Sequence, residues 1–253
     1  MSQWPHGDSN HARVYRRLKA ALIDYRFRPG EQLLIAELAD HLHVSSTPVR
    51  ESLISLQAQA LLDAVPRRGF FAKVLNFEEM SGLTQFRFSL LRSCLEPLRA
   101  SPHLEREGSP GSQRRDNRRA TIATADAEAT NPVGEHARRI ERELESLAAL
   151  SGNRVICGAL RNANNRTHYV RMIDLEMAGR ASQLEAELSD LSRAFRRGDS
   201  KTALRILRRS MEDEMSRMPT LIKEGLSRAY VAPSWTAIPI GVRGAQPAQH
   251  IGR

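Results

Sequence analysis

The run Val44-Ser45-Ser46-Thr47-Pro48-Val49-Arg50 constrains this chain more than any other stretch. Four residues, three of them small hydroxyl side chains, leave room only for a tight turn. Pro48 then favours the opening of a helix, because a first-turn N–H has no intrahelical acceptor and its loss costs nothing there. Thr47 is placed to cap that helix through its hydroxyl, and Val49, Leu53 and Leu56 give it an apolar stripe. Upstream, Ile35 to His41 reads as a second helix with Leu38 and Leu42 inward. His11 to Tyr25 reads as a third, with Val14, Leu18, Ala21, Leu22 and Tyr25 at helical spacing and Arg28-Pro29-Gly30 as the breaker. Beyond Leu61 the period shortens to two. Leu62–Val65 and Phe70–Val74 read as strands joined by Pro66-Arg67-Arg68-Gly69, a hairpin with a basic tip.

Two helices around a tight turn, followed by a basic hairpin, form a winged helix-turn-helix. Its second helix fits the major groove of B-form DNA and presents first-turn side chains to base edges. Ser46, Thr47 and Arg50 occupy that turn. Arg50 offers two N–H donors of the kind that match guanine O6 and N7, and the hydroxyls and free N–H groups suit phosphate. Arg67 and Arg68 are placed to reach backbone or minor groove, with Gly69 permitting the turn. The formal net charge of +9, from 38 Lys and Arg against 29 Asp and Glu, fits a polyanionic partner, although a solvated basic surface would carry it equally well.

The remainder is helical. A long helix is expected from Phe77 to about Ala100, then helices from Glu135, from Arg154 towards Val170, across Met177–Phe195, and across Leu204–Ile222. The Met-rich stripe of the last would serve as core or as a ligand-binding face. Residues 101–132 read as a polar insert, a mobile or disordered loop whose cluster Arg114, Arg115, Arg118 and Arg119 is either solvated linker or a phosphate contact, and residues 229–253 read as a flexible tail. The expected organisation is thus a mainly α chain. An N-terminal winged helix-turn-helix spans 1–75 and a C-terminal all-α bundle spans 76–228.

Two isolated cysteines, Cys94 and Cys157, argue against a disulfide framework. Absence of a leader-like N-terminus or an apolar span points to a cytoplasmic protein with no membrane partner. No P-loop, GxGxxG, GxSxG or HExxH occurs, so an enzyme is not expected.

Residues Pro29-Gly30-Glu31, Leu38-Ala39, Val44 to Leu53, Leu61-Leu62 and Arg67-Arg68-Gly69-Phe70 together resemble the signature of the GntR family of bacterial transcription regulators. The likeness covers roughly residues 11–75. It implies a dimer that binds near-palindromic double-stranded operator DNA. Ser46 stands where that family usually has Arg, which implies one altered contact. Arg92 to Glu96, Leu147 with Ser151-Gly152-Asn153, and Gly198-Asp199 with Ala203 resemble the effector domain of the FadR subfamily, termed FCD. Many such domains hold a divalent metal, but the ligand positions fall here on Ile140, Leu144, Leu188 and Ser210, so no metal and no other cofactor is expected. His136 and His168 read as surface or capping residues. Without a metal, a small anionic metabolite would need direct cations, and Arg92, Asn153, Arg166 and Arg171 are the candidates, against surface or intrahelical ion pairs such as Arg92 with Glu96 and a pocket that binds nothing small. The resulting expectation is a metabolite-responsive dimeric repressor. The alternative is a non-specific or architectural nucleic-acid binder, which would explain the charge but not the turn and wing.

Overall fold

A computed structural model describes residues 10–95 and 131–235. The first part comprises α1 (Asn10–Ile23), β1 (Gln32–Leu33), α2 (Ile35–Leu42), α3 (Ser46–Gln57), β2 (Leu62–Val65) and β3 (Gly69–Ala72). Apolar residues at i, i+3/i+4 spacing put one stripe of each helix into a shared core. Val14, Leu18 and Leu22 of α1, Leu38 and Leu42 of α2, and Val49, Leu53 and Leu56 of α3 are all buried there. The α2–α3 turn is closed by His43 in the left-handed region at φ 55°, with its N–H and that of Val44 bonded back to the last turn of α2.

The sheet is antiparallel in the order β1-β3-β2. Leu62 pairs with Ala72 and Val65 with Gly69 across the hairpin, and β1 adds Gln32 and Leu33 opposite Phe71 and Phe70. That third strand was not expected from the sequence.

The helical part comprises α4 (Phe77–Ser93), α5 (Pro132–Ala149), α6 (Arg154–Glu176), α7 (Arg180–Arg196) and α8 (Ser200–Val231). Asparagine side chains cap three of these helices: Asn76 accepts from Glu79 N, Asn131 from Val133 N, and Asn153 from Val155 N and Ile156 N. The Asn131 cap with Pro132 behind it starts α5 three residues before the expected Glu135. α6 runs to Glu176, past the expected Val170, because Val170, Met172, Ile173 and Leu175 remain buried against neighbouring helices. The far end of the helix expected to reach Ala100, most of the insert at 101–132 with its Arg114, Arg115, Arg118 and Arg119, and positions 236–253 lie outside the described residues.

The two parts are joined through packed contacts. Tyr25, after α1, stacks on Tyr169 of α6 with ring centroids 4.8 Å apart. Asn162 of α6 donates to the Gln59 carbonyl at 2.9 Å. The end of α8 and the segment after it also depart from the flexible tail expected for 229–253. Ala229 is buried, and Trp235 returns to the winged part and is 3% exposed in its core. Among the described residues no helix is long and apolar enough to cross a membrane.

Candidate DNA-reading surface and effector cavity

Ser45, not Thr47, occupies the N-cap position of α3, with extended backbone (φ −73°, ψ 163°) and no side-chain cap bond. Ser46 and Thr47 are therefore the first two helical residues and Pro48 the third, still within the turn whose N–H groups lack intrahelical acceptors. The shift frees the Thr47 hydroxyl from the expected capping role. Ser46, Thr47 and Arg50 are all exposed, while Val49, Ser52 and Leu53 face the core. The sequence period thus puts the polar first-turn residues outward by holding the apolar ones in.

At the wing tip, Arg68 N–H donates to Val65 O at 3.0 Å. Arg67 takes a left-handed φ of 62° and Gly69 a φ of 95°, so two successive bends need conformations that most residues avoid. Gln32 of β1 donates from Nε2 to the Arg68 carbonyl at 2.6 Å, bracing the tip from behind. The Arg68 guanidinium lies 5.4 Å from the centroid of the Phe71 ring, while Arg67 and Arg68 remain exposed. Gln32 and Phe71 are supports that the sequence reading missed, because only the pairing of β1 with β3 brings Gln32 near the tip.

In the helical part, α4–α8 enclose a cavity of about 80 Å³. Ile140, Leu144, Leu188 and Ser210 all line it. Three of these side chains have no ligand atom for a metal, so the set does not fit one. Among the described residues no three His, Cys, Asp or Glu side chains gather as a metal-ion site.

Of the four effector candidates, only Arg171 lines this cavity. It is 8% exposed and donates to Glu141 Oε1 at 2.6 Å. Arg166 instead pairs with Glu79 of α4 at the joint between the two parts. Asn153 caps α6, and Arg92 stands exposed on the last turn of α4, outside the cavity lining. Two cations that the sequence reading missed line the wall. Arg87 binds Glu214 at 3.1 Å, with Thr84 donating to the same carboxylate at 3.0 Å, and Arg180 donates to Asp174 at 3.1 Å. Burial and the neighbouring Arg171 both lower the pKa of Arg87.

His168 corrects another expectation. It is fully buried, with Nδ1 2.9 Å from Glu141 Oε1 and Nε2 3.7 Å from Asp24 of the winged part. His136 is half-buried and lies 3.0 Å from Glu185.

Residues 10–72 match the model of the bacterial regulatory proteins, gntR family. The Nta operon transcriptional regulator of Aminobacter aminovorans is 30% identical over 152 residues, covering 60% of this chain and 69% of that protein. The chain belongs to the GntR family. The uncharacterized HTH-type transcriptional regulator YdhC of Bacillus subtilis is 22% identical over 216 residues, 85% of this chain and 93% of that one. Two solved structures share the fold. A transcriptional regulator GntR from Rhodococcus sp. RHA1 has a TM-score of 0.56 at 21% identity and covers 84% of this chain and 98% of its own. E. coli McbR/YncC has a TM-score of 0.52 at 16% identity, with 85% and 99% covered. As a GntR-family member, the protein is a sequence-specific, DNA-binding transcriptional regulator whose partner is double-stranded DNA.

Proposed function

We propose that this GntR protein is a dimeric repressor released from its operator by a small metabolite, with an FCD-like helical effector domain. Residues 1–75 form the DNA-reading unit and 76–228 the sensing and dimerising unit. Ser46, Thr47 and Arg50 read one half-site, and Arg67, Arg68 and Gly69 set the wing against the backbone or minor groove. The observation that carries this reading is the outward first turn of α3, polar and exposed above an apolar core. A walled cavity in the same chain supports the sensing role. Two recognition helices of a dimer contact half-sites about 34 Å apart or a multiple of that. A metabolite that favours another spacing shifts occupancy by the difference of its affinities for the two arrangements.

Selection of bound fragments from the source genome, followed by footprinting, tests the reading. One short near-palindromic site protected by two protomers is the expected result. Protection of a single asymmetric half-site by a monomer would overturn the dimeric form. Increased transcription from that site on adding protein would overturn repression.

A further inference from the structure

The cavity among α4–α8 is electrically balanced in a way that narrows what it can hold. Its ionisable lining comprises three guanidinium groups, Arg87, Arg171 and Arg180, and three carboxylates, Asp174, Glu187 and Glu214. The arginines are 8%, 8% and 5% exposed. Glu141 lies behind the wall, bound to Arg171, and Arg217 lies behind it on Asp174, adding one charge of each sign. A ligand bearing one net negative charge would therefore leave a buried charge without a counter-ion, which is costly in a medium of low dielectric.

The polar atoms that the fold leaves over have both characters. Arg87 Nε, Arg171 Nη2 and Arg180 Nη1 are buried donors without a hydrogen-bond acceptor, and Glu187 Oε2 is a buried acceptor without a donor. Arg180 Nη1 lies 3.5 Å from the other Glu187 oxygen, an ionic contact that does not satisfy Oε2. Buried groups of this kind are rarely left unpaired. The positions where the resemblance would place metal ligands are apolar at Ile140, Leu144 and Leu188, so the wall supplies no metal to take up a carboxylate.

We propose that this cavity binds a zwitterion of the amino-acid class without a metal, its carboxylate accepting from the spare guanidinium N–H groups and its ammonium donating to Glu187. Such a head group brings both signs and leaves the balance of the wall unchanged. The aliphatic portion lies against Ile140, Leu144 and Leu188. The way in is the groove between α7 and α8, a space of about 490 Å³ that shares Glu187, Ile206 and Ser210 with the cavity. This assignment rests on the effector reading above and specifies its chemistry.

The test is calorimetric and thermal-shift titration of the full-length protein, treated with EDTA. The probes are the twenty proteinogenic amino acids, with propionate and propylamine as single-charge controls. At least one amino acid is expected to bind saturably with one site per chain, and both controls at least about tenfold more weakly. Glu187→Gln should weaken that amino acid by about tenfold or more. Leu144→Phe, which fills the cavity with an apolar ring, should abolish binding, and it provides an independent check if the Gln variant folds poorly. Propionate binding as tightly as the best amino acid, binding only on addition of Zn²⁺, or no amino acid binding at all would each overturn the proposal. Operator titrations separate the two levels. An amino acid that binds the cavity without changing operator affinity upholds the ligand class and removes the effector role. A different compound that releases DNA while no amino acid binds does the reverse.

Discussion

Arg50 sits one turn into α3 with its side chain in solvent, and Val49 and Leu53 on either side of it hold the helix to the core at under 1% exposure. Replacing it leaves the fold untouched and removes only what the guanidinium does on DNA. Arg50→Ala is expected to cost about 1–3 kcal/mol of operator binding and to relax the preference at one base pair. Electrophoretic titration against an operator randomised at each position measures both, and an unaltered footprint and preference would remove its base-reading role. Glu141 presents the opposite case, a carboxylate held inside by His168 and Arg171. Burial pushes its pKa up. The His168 hydrogen bond and the Arg171 charge outweigh that and bring it below its ordinary 4.5. A carboxyl depressed on folding contributes stability that is complete above the ordinary value and disappears as pH falls through the lower folded-state value. Glu141→Gln should therefore lower the urea midpoint at pH 7 and flatten its fall below about pH 4.5. A variant that keeps the wild-type acid slope would show that the pair contributes nothing to acid sensitivity.

At the scale of elements, the seat of α8 against α6 and against Leu75, just before α4, depends on a missing side chain. A Cβ on Gly225 of α8 would lie 2.7 Å from Leu75 Cδ2, 3.0 Å from Ile173 Cδ1 and 3.3 Å from Tyr169 Cε1. Tyr169 also donates its hydroxyl to the Gly225 carbonyl at 3.2 Å. In an open helix Gly→Ala gains about 1 kcal/mol. Forcing a methyl into a packed crossing typically costs about 1–3 kcal/mol, so Gly225→Ala should destabilise by up to about 2 kcal/mol. The denaturant midpoint tests the sign, since a stabilised variant would mean the crossing yields easily. The contrast with α2–α3 explains what could be read from the chain alone. That pair rests on local chemistry: a turn of small polar residues, an early proline and a stripe with a 3.6-residue period. All of it lies within about twenty residues. β1 escaped notice because two residues carry no period, and its identity as a strand comes from Phe70 and Phe71, nearly forty positions away. The cavity was foreshadowed by Ile140, Leu144, Leu188 and Ser210, the positions onto which the resemblance maps a metal-ligand set, and all four line it. Its cations were not. Arg87 falls on the inward stripe of α4 with Met80, Leu83 and Cys94, which Arg92 does not, but the Glu214 that pairs with it lies 127 positions away. His168 likewise takes its role from Glu141 and Asp24 on other elements.

At the scale of the whole molecule, the last helix walls the cavity and leads into a short segment that returns to the winged part. α8 contributes Ser210, Met211 and Glu214 to the lining. Past Val231 the backbone turns so that Trp235 N–H donates to Arg26 O at 2.9 Å and Ser234 donates to Glu31 at 2.6 Å. The indole then stands edge-on to Phe27 at 5.4 Å and to His41 of α2 at 4.7 Å, between centroids. A residue from the end of the helical part thus completes the core beneath the helix-turn-helix, so the two parts share one hydrophobic cluster as well as the Asp24 ion pairs. Trp235→Ala leaves a large void in that cluster and should cost about 3–5 kcal/mol. The loss falls on the winged part, because α4–α8 keep their own cluster around Leu147, Leu160 and Phe195. In a Trp4→Phe background Trp235 is the sole indole, since the chain has two tryptophans. Its emission should be that of a buried ring in the folded protein and move to the red in one step with loss of the helix-turn-helix. Hydrogen exchange on Trp235→Ala should then show weakened protection in α1–α3 and near-native protection in α6. Equal loss across both parts would mean that the indole stabilises the chain as a single cooperative block, and unchanged protection in α1–α3 would mean that it contributes little to the winged core.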